Sequence, residues 1–318
     1  IKSGYVEGPR MAVGGNALLT SVGGTAGRLI PDGGLRGYAQ VVQNKDEIIK
    51  EVRRQIKNGV DWIKVHVTGL IPNQKEEGEI SVWSFDELKL VCDLAHDLGT
   101  PVVGHVRNAK GVKDSIKAGM DFILHATFMD EEAIDLVCET KTPIAPSFTF
   151  QANLADFGDA IGASDDYRQI FKKEIDDNAE IFNKIHEAGV PLICGSESGF
   201  SITPYGEWHH RELEVFVKDI GMTNLEAITC ATKNASKSVK MENKVGTLEE
   251  GMLADLLIVD GDPLKDITVL GDKSKLSHIF QNGKEVKREQ EIREITPPQG
   301  WRLSPFSDGI LTQELAKK

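Results

Sequence analysis

Two short apolar runs end on histidine twenty residues apart, Val102-Val103-Gly104-His105 and Phe122-Ile123-Leu124-His125. Each follows a segment of helical periodicity and a glycine, and each is too short to be a helix. Both therefore read as strands buried on two faces, the pattern of a parallel sheet covered by helices. In such sheets and barrels the C-terminal ends of the strands line the functional crevice. Histidines at equivalent ends of adjacent strands are expected to converge, within reach of one metal ion.

The same unit recurs along the chain. Lys45 to Asn58 is helical, with Ile48, Ile49, Val52 and Ile56 on one face; Gly59 stops it, and Trp62 to Val67 follows as a strand. Ser84 is the N-cap of a helix from Phe85 to Leu98, with Glu87 completing a capping box. Further helices are predicted over Ala109–Ala118, Asp130–Glu139, Asp165–Ala188, Glu207–Ile220 and Asn224–Cys230, and further strands over 121–125, 142–147 and 190–195. Met11-Ala12-Val13 is a candidate short strand, and Val22 to Gly27 a glycine-rich loop without phosphate-binding spacing. Helix, glycine and buried strand in repetition predict an α/β fold with right-handed crossovers. Polar residues decorate several strand ends, which favours a (β/α)8 TIM-like barrel over an open sheet. From Gly246 the pattern changes to a small β unit with a hairpin around Asn282-Gly283. The expected division is a barrel over residues 1–240, a β unit over 241–290 and a tail over 291–318.

Composition narrows the partners. The 318 residues are 40% hydrophobic, enough for a sizeable core, and carry a net charge of -12. No basic block offsets that charge, so nucleic acid and anionic membrane are not expected partners. Cys92, Cys138, Cys194 and Cys230 stand far apart, which reads as reduced core thiols in a reducing, cytoplasmic setting. No apolar run approaches the length of a membrane span, and no signal peptide opens the chain; since Ile1 is not an initiator methionine, a leader stays open.

Four strand ends carry groups suited to metal chemistry: Lys64, His105, His125 and the Glu197 of Ser196-Glu197-Ser198. Imidazole and carboxylate are ordinary ligands of zinc and related divalent ions. A lysine amine that loses its proton in a desolvated site can add carbon dioxide, and the carbamate is a bridging carboxylate-type ligand. Taken singly, each residue is as well explained as a hydrogen-bonded core histidine, a solvated lysine or a helix-capping glutamate. Their recurrence at equivalent places in a βα repeat is what points to a site. His66 shares the face of Lys64 and is a candidate substrate contact. Tyr205 and His210 stand where a site rim is expected, with His209 beside them, and a solvated face accounts for them equally well. His96 and His186 sit in helices and look structural.

At these residues the chain resembles the amidohydrolase superfamily, particularly its imidazolonepropionase-like and Xaa-Pro dipeptidase-like branch. The resemblance rests on Gly8-Pro9-Arg10, Gly59 to Lys64, Gly104-His105, Ile123-Leu124-His125, Gly189-Val190-Pro191 with Gly195 to Gly199, and Gly251 to Leu256. It implies a barrel joined to a small composite β-sandwich, to which residues 241–290 contribute the C-terminal part. It implies one or two divalent metals, with zinc expected, a carboxylated Lys64 that needs carbon dioxide, and His105 and His125 as ligands. The implied reaction is hydrolysis of an amide, peptide or carbamate-type C–N bond in a small-molecule or dipeptide-like substrate, with specificity set by loops such as 70–83 and 199–210. Glu197 would take the proton of the attacking water and pass it to the leaving amine.

Two features depart from the family pattern. The His-x-His of its first barrel strand is not in this sequence, so the chain looks like the C-terminal part of such a protein, with barrel strands 3–8. It is then expected to be a homo-oligomer or to be completed by a missing N-terminal segment, because an incomplete barrel exposes unpaired edges. Glu197 also stands where the family places aspartate, one methylene shorter. Both departures keep open a non-catalytic barrel that binds a ligand or partner through a degraded metal site, and lyase or isomerase chemistry on the same fold is a third reading.

Overall fold

The apolar runs flanked by helical segments do build a parallel sheet. A computed structural model of the chain describes residues 8–24, 30–31, 33–35, 37–69, 79–287 and 309–317. Part of the glycine-rich loop (25–27), most of the 70–83 loop with Lys75, Glu76 and Glu77, and the tail up to residue 308 lie outside the described residues. In chain order the first elements are β1 (Ala17–Leu19), β2 (Ala39–Val41), α1 (Lys45–Lys57), β3 (Ile63–His66), β4 (Thr68–Gly69), β5 (Ile80–Ser81), α2 (Phe85–Asp97), β6 (Val102–Val106), α3 (Ala109–Ala118), β7 (Phe122–His125), α4 (Glu131–Thr140) and β8 (Ile144–Ala145). There follow α5 (Thr149–Phe157), α6 (Asp165–Glu187), α7 (Arg211–Lys218), α8 (Asn224–Thr229), β9 (Leu256–Val259), β10 (Leu276–Gln281) and β11 (Lys284–Glu285).

Among the described residues, six strands form one sheet in the order β2-β1-β3-β6-β7-β8, every pair parallel. Leu18, Ile63, Val65, Val102, Ile123 and Ile144 are fully buried in it. Burying a Leu, Ile or Val side chain is worth about 1.5–3 kcal/mol relative to leaving it exposed, and this is what holds the strands in place. The fold class is α/β, with the strand–helix alternation of a TIM-like barrel. A separate antiparallel sheet, β11-β10-β9, follows near the C-terminus. Its hairpin turns at Asn282 and Gly283, with φ of 52° and 73°, the double left-handed turn that an Asn-Gly pair favours.

The helices start and stop as their caps dictate. The Ser84 hydroxyl caps α2, and the Glu87 side chain returns to the Ser84 backbone, completing the capping box. Asn44, Asn108 and Asp130 cap α1, α3 and α4 in the same way through their side chains.

Several expectations are corrected. Residues 11–13 do not form a strand; the backbone carbonyl of Val13 accepts hydrogen bonds from the Asp61 and Trp62 amides, and the strand lies at Ala17–Leu19. The run 190–195 forms no ladder strand but a single parallel bridge between Leu192 and Ile144. Pro191 has no amide to donate, which limits the pairing there. The helix expected from Glu207 begins at Arg211, and α5 was not expected.

The described chain divides into two compact units. One comprises the residues up to Pro146 with Lys184–Ile193 and Ser238–Lys240, and it holds the parallel sheet. The other comprises Ser147–Asn183, Cys194–Lys237 and the residues from Met241 onward. It has its own apolar cluster of Leu154, Ile161, Ala163, Ile202, Trp208 and Leu311, in which the Trp208 indole donates to the Leu311 carbonyl at 2.8 Å. All four cysteines are free thiols. Among the described residues no helix is long and apolar enough to cross a membrane.

Candidate functional site

Three histidines gather at the C-terminal ends of β3, β6 and β7. His66 and His105 are register partners on adjacent strands, so their side chains emerge on the same face. Their rings stack at 5.0 Å with an interplanar angle of 19°. Lys64, two residues before His66, shares that face and is half-buried.

His125 reaches the cluster by another route. Its register partner is Val106, while His105 pairs with Leu124, so strand alternation alone would send the His125 side chain to the opposite face. His125 instead has φ 72°, followed by 53° at Ala126 and 56° at Phe128. This left-handed turn breaks the alternation, and the ring lies edge-on to His105 at 4.5 Å.

Glu79 completes the group. It is only 7% exposed, and its Oε2 lies 2.8 Å from His105 Nε2. The Thr68 hydroxyl donates to the same oxygen at 2.8 Å, and the Asn108 amide donates to the Glu79 carbonyl. Glu79 lies in the 70–83 loop, from which sequence reasoning singled out no residue. A carboxylate that follows Lys75, Glu76 and Glu77 in the sequence gives no sign that it is buried.

Electrostatics keep the imidazoles neutral. Burial pushes the pKa of His105 well below the usual histidine range, helped by the positive charges of Lys64 and Arg107. Burial does the same to His66 and His125, with neighbouring His105 and Lys64 adding to it. The Glu79–His105 contact joins a carboxyl oxygen to an imidazole nitrogen at 2.8 Å.

A divalent ion asks for neutral imidazole nitrogens and carboxylate-type oxygens. The first requirement is met by His105 and His125. Among the described residues no three His, Cys, Asp or Glu side chains form a ready ligand set. An oxygen donor would have to be made, and Lys64, on the His105 face, would supply one if it were carboxylated. On that condition the residues fit a metal.

The remaining expected site residues belong to the other unit. Glu197 is half-buried with φ 47°, and its carbonyl accepts from the Thr203 hydroxyl at 2.9 Å. Beside it, Ser196 Oγ lies 2.9 Å from His209 Nδ1. The Gly206 amide donates to His209 Nε2 at 3.1 Å, so Nδ1 carries the hydrogen and His209 is not a base for this serine. His210 stacks on Trp208 and, with Arg211, Glu214 and Gln313, lines a cavity of about 260 Å³. Tyr205 is 80% exposed.

Residues 4–286 match the family model described as the amidohydrolase family. The chain belongs to the amidohydrolase family. Among its relatives, ochratoxinase of Aspergillus niger is 28% identical over 301 residues, 89% of this chain and 61% of that protein. The crystal structure of A. niger ochratoxinase matches with a TM-score of 0.75 at 26% identity, covering 89% of this chain and 67% of that one. A crystal structure of a Xaa-Pro dipeptidase with methionine bound in its active site matches with a TM-score of 0.75 at 30% identity, covering 90% of this chain and 70% of that one. An imidazolonepropionase of Thermoplasma volcanium is 33% identical over 97 residues, 30% of this chain and 24% of that protein. This amidohydrolase thus spans 61% of the length of the curated ochratoxinase it resembles.

Proposed function

We propose that this amidohydrolase hydrolyses a C–N bond (amide, peptide or carbamate-type) in a small-molecule or dipeptide-like substrate, with one or two divalent metals, zinc first among them. The observation that carries the reading is the pair of buried, neutral imidazoles at adjacent strand ends, His105 against His125 at 4.5 Å. The names of its relatives, ochratoxinase and Xaa-Pro dipeptidase, support a small-molecule or dipeptide-like substrate.

His105 and His125 supply nitrogen donors, and Lys64 supplies oxygen. Once the Lys64 ammonium has lost its proton to solvent, the free amine adds carbon dioxide, forming an N–C bond and releasing a second proton, which leaves an anionic carbamate. When bound, a divalent ion supplies Lewis acidity for a hydrolytic step. His66, stacked on His105, is a substrate contact. Glu197 takes a proton from water and returns it to the leaving amine, while Tyr205 and His210 contact substrate. These roles rest on the family resemblance, as does the functional division into a barrel over 1–240, a β-sandwich part over 241–290 and a tail over 291–318. A homo-oligomer, or completion of the barrel by a preceding segment, belongs to the same proposal, as does a cytoplasmic setting.

A binding barrel without catalysis is the second reading, favoured by the lack of three converging His, Cys, Asp or Glu donors among the described residues. Elemental analysis of protein prepared with bicarbonate, alongside Lys64→Ala and His105→Ala, separates the two. At least one equivalent of divalent metal that both variants lose, with turnover on a panel of N-acyl amino acids and dipeptides, is the expected result. Metal-free preparations throughout would leave the binding barrel standing.

A further inference from the structure

The hydrogen bonds around Glu79 fix a property of His105 that its position alone leaves open. The Arg107 amide donates to Thr68 Oγ1 at 2.9 Å, so the Thr68 hydroxyl accepts from one side and turns its own hydrogen to Glu79 Oε2 at 2.8 Å. Glu79 Oε2 is therefore an acceptor in this arrangement. His105 Nε2, 2.8 Å from the same oxygen, must then be the nitrogen that carries the hydrogen. The lone pair falls on Nδ1. His125 is set the opposite way: its Nδ1 faces the Pro146 carbonyl at 3.3 Å, an acceptor, which leaves the lone pair on Nε2.

We infer that Glu79 is a positioning residue that selects the tautomer of His105 and aims its Nδ1 as the donor nitrogen. Three features make Glu79 suited to the task. It is buried, so its hydrogen bond is not exchanged with water. Its carboxylate is oriented by Thr68 and its backbone by Asn108. Asn108 is itself held as the N-cap of α3, which ties Glu79 to a rigid element. A carboxylate that donates nothing and accepts from the distal ring nitrogen fixes ring rotation and tautomer together.

This inference rests on His105 being a metal ligand, so its test begins in the metal-free protein. The full chain labelled with 15N-histidine gives each imidazole tautomer by long-range 1H–15N correlation, with His105→Asn assigning the signal. Wild type is expected to show His105 protonated at Nε2. Glu79→Gln, which keeps an acceptor oxygen, is expected to retain that tautomer. Glu79→Leu is expected to lose it and to bind zinc on the order of 10–100-fold more weakly. If Glu79→Leu fails to fold, Glu79→Ala, which removes the acceptor without filling its space, takes its place with the same expectation. Wild-type His105 protonated at Nδ1 would overturn the inference, as would an unchanged tautomer and zinc affinity in a folded Glu79→Leu or Glu79→Ala. An Nε2-protonated His105 in a wild type that takes up no zinc would support the role of Glu79 and remove only the metal reading.

Discussion

His105 and His125 hold their rings 4.5 Å apart although strand register pairs His125 with Val106. The meeting of the two rings depends on a left-handed backbone at His125, not on strand geometry alone. Asparagine tolerates that backbone better than most residues. His125→Asn is therefore expected to fold while losing an imidazole donor. Since a Lewis-acidic ion is worth several kcal/mol, kcat/KM is expected to fall by at least about 100-fold. Kinetics beside a circular dichroism melt check this, and a folded variant with near-normal turnover would remove His125 from the site.

Close backbone approach fixes Gly69. A Cβ there would overlap the backbone of Gly24, which itself lies against the side chain of His66. Gly69→Ala is expected to cost about 1–3 kcal/mol through overpacking. Gly33, with nothing within 4 Å of an added Cβ, is the control, and Gly33→Ala should stay within about 0.5 kcal/mol. Urea unfolding of both proteins measures the difference.

Glu212 is fully buried in the second unit and accepts from the Phe148 amide and from the Thr149 amide and hydroxyl. Burial dominates these bonds and pushes its carboxyl from 4.5 up to about 7. The folded protein thus keeps a proton that the unfolded chain releases between those values. The contribution of Glu212 to stability is full below about pH 4.5 and is lost as pH rises through about 7. The decline amounts to on the order of 3 kcal/mol from this group. Melting temperatures from pH 4 to 8 are expected to show this component in wild type and its removal in Glu212→Gln; equal slopes in both would contradict it.

The capping box of α2 gives a smaller, cleaner effect. Ser84→Ala removes the hydroxyl that accepts from the Glu87 amide and contacts its carboxylate. The expected loss is about 1 kcal/mol, read as a shift in the urea midpoint at constant slope. Ser84→Thr should restore most of it, since threonine keeps a hydroxyl that accepts from the Glu87 amide and donates to its carboxylate.

The strands that ended up deep in the parallel sheet were the legible ones. β6 and β7 are near-contiguous apolar runs because both faces are covered, β3 alternates Ile63 and Val65 with Lys64 and His66, and the glycines before all three end the preceding helices. Ala17–Leu19 was not legible: a three-residue strand without β-branched side chains, amid glycines, leaves no periodicity to read. The residues of the cluster fared unevenly for the same reason. His105 and His125 sit near strand ends, which the pattern marks, whereas Lys64 was expected at a strand end and lies inside β3, two residues before the His66 that ends it. Glu79 sits in a polar stretch whose inward turn depends on Thr68 and Asn108, partners distant in sequence. The backbone reversal at His125 left no trace either, because histidine followed by alanine is ordinary in a strand.

The left-handed residues at 125, 126 and 128 have one more consequence. Non-glycine residues in that region cost on the order of 1–3 kcal/mol each, a tension that the folded surroundings must hold. A species that bridges His105 and His125 relieves no part of it but makes release harder, since unwinding the turn would carry one ring away from the other. Occupancy of the site and integrity of this turn are then two readings of one equilibrium: whatever joins the rings also keeps the spring wound.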